Sequence, residues 1–114
     1  MPDRLGDKIR LQHILDAISE IEKYTTDVDV DDFSSNSMML NATLRQLEII
    51  GEASNRLSES FKQGNQHIHW KKIIGLRNLV IHQYFGVDTM MIWNILKHDL
   101  PVLRDDINKI YKIL

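Results

Sequence analysis

Apolar residues recur at three- and four-residue steps along almost the whole chain, which is the period of an α-helix. Leu11, Ile14, Leu15, Ile18 and Ile21 form one stripe and predict a helix over about residues 3–24. Residues 25–36 are polar and acidic and read as a connector with one helical turn. Leu40, Leu44, Leu47, Ile50, Leu57 and Phe61 mark a second long helix, closed by the glycine of Gln63-Gly64-Asn65. A third runs over about residues 70–84 and stops at Phe85-Gly86. Asp88 or Thr89 caps a fourth, with Ile92, Ile95, Leu96, Leu103, Ile107, Ile110 and Leu114 on its stripe. Pro101 falls inside that stripe and should kink or split the helix, because it lacks an N–H and crowds the preceding turn. No segment alternates with period two, so no strand is expected. The pattern predicts an all-α, antiparallel four-helix bundle with a short extra helical turn, one domain over residues 1–114.

Composition adds little to the fold but narrows the chemistry. The chain of 114 residues is 43% hydrophobic and 26% charged, as ordinary globular domains are. Its apolar runs are far shorter than the ~20 residues that span a bilayer. The opening Met1-Pro2-Asp3-Arg4 leads directly into charged residues, so no signal peptide is expected. The absence of cysteine removes disulfides, thiolate metal sites and thiol nucleophiles, and suits the cytoplasm. Net charge is −2, which argues against a nucleic-acid binder until its distribution is considered. Residues 60–87 contain no Asp or Glu but hold Lys62, Lys71, Lys72 and Arg77, giving +4 against −6 for the rest. Such a segment suits a phosphate-binding face, with Lys71 and Lys72 as candidate RNA contacts, although chance clustering produces the same count.

The third helix is interrupted by Arg77, Asn78, His82 and Tyr84. At about 100° per residue, Asn78 and His82 share one face while Arg77 and Tyr84 share a line about 100° from Asn78. The four cover roughly 160° of helix surface, which fits a groove between helices or subunits better than a pocket on one helix. These groups suit metal-free cleavage of an RNA phosphodiester. A histidine titrating near neutrality can take the 2′-hydroxyl proton or protonate the leaving oxygen. An arginine can hold the phosphate and stabilise the charge that builds on it, and an asparagine can orient either group. One histidine cannot readily serve both proton transfers, so two copies across a two-fold axis would be useful. The same spacing also fits a buried polar network in which Arg77 and His82 satisfy each other.

The arrangement Arg77, four residues, His82, with Asn78 beside the arginine and Tyr84 two positions after the histidine, resembles the motif of the HEPN superfamily, specifically its HepT-like branch. The likeness extends to residues 10–18, 47–53, Trp70, residues 84–88, Trp93 and Leu100-Pro101, and so covers almost the whole chain. Gln83 stands where that branch often has glycine. The resemblance implies a homodimeric helical bundle whose two motifs meet at a cleft. It further implies the toxin component of a type VII toxin–antitoxin system, acting as a metal-independent ribonuclease without cofactor, endo- or exonucleolytic, on tRNA or mRNA. A minimal nucleotidyltransferase would be the partner and would neutralise the toxin by adenylylating the motif tyrosine, here Tyr84. A bulky anion on Tyr84, in line with Arg77, would fill the phosphate site and repel RNA. The reading from a different class is a non-catalytic helical module that docks a nucleotidyltransferase or a nucleotide.

Other residues carry weaker signals. Gly51 sits mid-helix with Ala53 and Ser54 and permits close helix approach; Glu52 beside it is placed to pair with Arg77 or position the motif. His13 lies on the polar edge of the first helix as a surface residue or an auxiliary group. Asp27, Asp29, Asp31 and Asp32 alternate as calcium ligands do, but Asp32 and Met38 stand where such a loop needs Gly and Glu, which leaves a solvated acidic turn. His67 and His69 form a His-x-His pair with no carboxylate or thiolate near in sequence, so no metal site is expected. Met38, Met39, Met90 and Met91 read as core or interface, and Trp70 and Trp93 as packing anchors.

Overall fold

The computed structural model describes residues 4–79 and 88–114. It is helical, with no strand among the described residues. Helix α1 (Arg4–Thr25) runs antiparallel to α3 (Ser37–Arg56), since Asp7 at the start of one meets Ser58 just past the end of the other. At the opposite end, Gln46 donates to Tyr24 Oη at 3.3 Å. Leu11, Ile14, Ile18 and Ile21 face Leu44, Leu47 and Ile50 across this pair, all buried. The connector contains α2 (Val30–Ser35), which Asp29 caps by accepting from Asp32 N–H at 2.8 Å. Asp27, with φ of 59°, turns the chain into it. The acidic run is therefore turn and cap chemistry.

The second predicted helix is broken where the pattern reads as continuous. It ends at Arg56, and a separate short helix, α4 (Glu59–Gln63), follows. Ser58 causes the break: its Oγ accepts from Phe61 N–H at 3.2 Å and so caps a new helix. Buried Asp7 accepts from Ser58 N–H at 2.8 Å and from its hydroxyl at 2.7 Å, which holds the bend against α1. Hydrophobic spacing misses this, because Leu57 and Phe61 stay on the apolar side through the bend.

Helix α5 (Trp70–Ile74) packs on α3 and tightens into a 3₁₀ turn at Gly75–Asn78. After residues 80–87, Asp88 caps α6 (Thr89–Asn94), accepting from Met90 N–H at 3.0 Å and Met91 N–H at 3.3 Å. A π-turn at Ile95–Asp99 joins α6 to α7 (Leu100–Ile113). That widened turn directly precedes Pro101, the device expected where a proline removes one bond of the helix ladder. Helix α7 lies against α1, with Leu100, Leu103, Ile107 and Ile110 buried. The four arms of the bundle are thus α1, α3, α5 with its 3₁₀ turn, and α6 with α7.

Trp70 and Trp93 are anchors as expected. The Trp70 indole N–H donates to the Asn65 carbonyl at 3.1 Å and its ring packs on Phe61; Trp93 packs on buried Phe33 with centroids 5.2 Å apart. The methionines divide. Met39 packs partly into the core, while Met38 (81% exposed), Met90 and Met91 project outward from first turns of helices and are not core.

Candidate active site

The third arm meets α3 most closely at one glycine. Gly51 is buried beneath the 3₁₀ turn, and a Cβ at its position would lie 2.6 Å from Arg77 N, 2.9 Å from Arg77 Cβ and 3.0 Å from Ile74 O. Any side chain at position 51 would therefore push the backbone that carries Arg77. The tight crossing explains why a helix tolerates glycine mid-length, where it costs about 1 kcal/mol relative to alanine. Leu76 in the same turn is buried in the core.

The residue after Gly51 receives that arginine. Arg77 Nη1 donates to Glu52 Oε1 at 3.1 Å, with side-chain exposures of 34% and 47% respectively. An ion pair this open is worth at most about 1 kcal/mol, so its consequence is orientation more than stability. The guanidinium is held at a known place, and its fork of N–H donors suits two oxygens of an anion such as phosphate. Arg77 is part-exposed, so it is not a fully buried residue as a closed network would require of it, while any contact with His82 lies outside the described residues. Asn78 follows on the exposed side. Because residues 75–78 wind at about 120° per residue, Arg77 and Asn78 diverge about 20° more than on an α-helix. His82 and Tyr84 lie outside the described residues, as does their angular relation to Arg77 and Asn78.

The other sequence candidates separate spatially. His13 and Glu52 come together, lining one groove of about 420 Å³ between α1 and α3. Lys71 and Lys72 are exposed on α5, with Lys72 paired to Asp99 at 3.3 Å. Lys62, counted in the basic segment, is only 10% exposed; it pairs with Glu59 at 3.2 Å and donates to the Asn55 carbonyl at 3.3 Å. Its charge serves the bend after α3 rather than a surface face. His67 and His69 lie with His98 and Asp99 around a separate, mainly apolar cleft of about 250 Å³. Among the described residues, no three His, Cys, Asp or Glu side chains group as metal ligands.

Sequence inspection passed over Arg10, Arg45 and Arg56, which line the same groove as His13 and Glu52. The signal was available: Arg45, Glu48, Ile49, Glu52, Ala53 and Arg56 follow three- and four-residue steps and share one face of α3. It was obscured because these arginines sit in the acidic part of the chain.

The described residues form an all-helical bundle in which one helical segment crosses another at a glycine and presents a paired, part-exposed arginine. The family follows from comparison of the whole chain. Residues 14–110 match the family model described as "Ribonuclease HepT-like", and the chain belongs to that family. It is similar to the "Probable ribonuclease HepT" of Thermococcus cleftensis, 37% identical over 102 residues that cover 90% of this chain and 93% of that protein. A Methanocaldococcus jannaschii protein whose name reads "Putative RNase" is 38% identical over 100 residues, covering 88% and 92% of the two chains. A longer protein of the same organism, "Gamma-glutamylcyclotransferase and putative RNase", is 42% identical over 107 residues; these are 94% of this chain and 48% of that protein. No solved structure matches the chain. Among the described residues, no helix is long and apolar enough to cross a membrane.

Proposed function

We propose that this protein is the ribonuclease toxin of a type VII toxin–antitoxin pair, acting in the cytoplasm as a homodimer with one Arg77/His82 motif from each subunit at a shared cleft. The observation that supports the reading is the Glu52–Arg77 pair seated on Gly51, which holds a part-exposed guanidinium suited to a phosphate, five positions before His82 in the sequence. Membership of a family described as ribonucleases supports the same chemistry.

In this reading Arg77 binds the scissile phosphate and neutralises the charge that gathers on its oxygens. One His82 takes the proton of the 2′-hydroxyl as that oxygen bonds to phosphorus. The partner subunit's His82 gives a proton to the 5′-oxygen as the P–O5′ bond breaks. The products are a 2′,3′-cyclic phosphate and a free 5′-hydroxyl on tRNA or mRNA, and no metal or cofactor is needed. Asn78 orients the phosphate or the imidazole. Glu52 positions Arg77, His13 is an auxiliary group in the neighbouring groove, and Lys71 and Lys72 contact RNA away from the reacting atoms. A partner nucleotidyltransferase neutralises the toxin by adenylylating Tyr84.

The test combines cleavage and intact mass. Purified protein incubated with total tRNA should generate cyclic-phosphate ends, and His82→Ala or Arg77→Ala should abolish them. Co-production with a minimal nucleotidyltransferase should add an adenylate to Tyr84 and silence cleavage. RNA cleavage that survives His82→Ala would refute the mechanism. RNA or nucleotide binding without any cleavage would mark a docking module instead.

A further inference from the structure

The groove between α1 and α3 gathers charge that the sequence disperses. Gly6, Ile9, Arg10 and His13 line it from α1, and Arg45, Glu48, Glu52 and Arg56 from α3. Glu52 is also the partner of Arg77, so the groove leads directly to the arginine of the candidate active site. Counting Arg77, four guanidinium groups stand against two carboxylates along this line, in a chain whose net charge is −2. Arg45 and Arg56 are eleven residues apart on one helix face, which at 1.5 Å per residue is a track of about 16 Å.

We infer that this groove is the path of the RNA backbone, on which Arg10, Arg45 and Arg56 hold the phosphates flanking the one at Arg77. The inference rests on the ribonuclease reading for the identity of the polymer. Its physical content is an anion track of stated length and residues.

Three observations give the track its chemistry. Both carboxylates in the groove are already engaged: Glu48 with Arg45 and Glu52 with Arg77. The Arg45–Glu48 pair joins neighbours on one helix and is solvent-exposed, so exchanging the carboxylate for a phosphate costs little. Arg56 is exposed at the end of α3, and Arg10, which makes contacts within the protein, stands across the groove on α1. Guanidinium forks spaced along a groove grip a phosphate chain without reading bases, so binding should depend on salt and hardly on sequence.

The probe is a fluorescent 2′-O-methyl RNA 12-mer of mixed sequence, which lacks the 2′-hydroxyl nucleophile and cannot be cleaved through it. Its Kd is measured by anisotropy from 50 to 300 mM KCl. For the double variant Arg45→Gln/Arg56→Gln, Kd should rise on the order of tenfold. The slope of log Kd against log salt should fall by about 1.4, which is two single-strand phosphate contacts at about 0.7 each. The variant Lys109→Gln, an exposed charge on α7, should match the wild type. An unchanged slope in the double variant would overturn the track even if tRNA cleavage is confirmed. So would sedimentation showing that the double variant changes oligomeric state, since the groove would then be a subunit interface. Binding that behaves as expected without tRNA cleavage would retain the track and refute the ribonuclease reading alone.

Discussion

Gly51 and Arg77 are in backbone contact: the amide nitrogen of the second lies 2.6 Å from where a Cβ on the first would be, too close for any side chain there. Three consequences meet at this crossing. The 3₁₀ turn packs onto α3 with no side chain between, Arg77 leaves the turn toward Glu52, and the ion pair forms at 3.1 Å.

Gly51→Ala should therefore harm both fold and activity. Helix propensity alone favours alanine by about 1 kcal/mol. The overpacking it causes costs about 1–3 kcal/mol, because the contacts it meets are backbone atoms and a Cβ that cannot rotate away. Thermal unfolding should show a net loss of stability, and tRNA cleavage should fall further than the stability loss explains. A variant as stable and active as wild type would show that the turn can move freely off α3.

Glu52→Gln separates orientation from stability. Both partners are substantially exposed, so unfolding free energy should change by less than about 1 kcal/mol. Cleavage should nevertheless fall about tenfold or more, because the charge that directs Arg77 is lost while the groove keeps its shape. Turnover and KM measured with tRNA give the comparison. Equal loss of stability and activity would instead make Glu52 a structural residue only.

The bend after α3 depends on Asp7, far from any proposed chemistry. Its carboxylate is buried and accepts two hydrogen bonds from Ser58, which in turn caps α4. Removing it takes away the acceptor of the Ser58 amide and hydroxyl, so Asp7→Ala should cost about 2–4 kcal/mol. Ser58→Ala loses one of these bonds and the cap, and should cost about 1–2 kcal/mol. Urea unfolding midpoints would report both.

Asp88 fixes where α6 begins, immediately after residues 80–87. Its carboxylate caps two backbone amides at 3.0 and 3.3 Å, and Asp88→Ala should cost about 1 kcal/mol. Asp88→Asn keeps an accepting oxygen and should recover most of that loss in the same melting experiment. If both variants melt alike, the negative charge near the helix N-terminus matters more than the cap geometry.

Helix periodicity determined the all-α architecture and the extent of α1, and cap and proline chemistry placed the start of α6 at Asp88 or Thr89 and a disturbance around Pro101. These are local properties: one helix's stripe and its cap are written within a few residues of each other. Gly51 as a site of close approach was legible for the same reason, while the motif at Arg77 was legible as a family resemblance. Tertiary structure decided what depends on residues far apart in the chain. Ser58 ends a helix because Asp7, 51 positions earlier, takes its amide and hydroxyl. Glu52 selects Arg77 because α5 crosses at Gly51. Within the basic segment Lys62 is buried and Lys72 is paired, while Arg10, Arg45 and Arg56 come together on one groove from an acidic background. Charge counted along a sequence sums over every direction a helix presents. Only the packing of α1 on α3 selects the residues that face one groove.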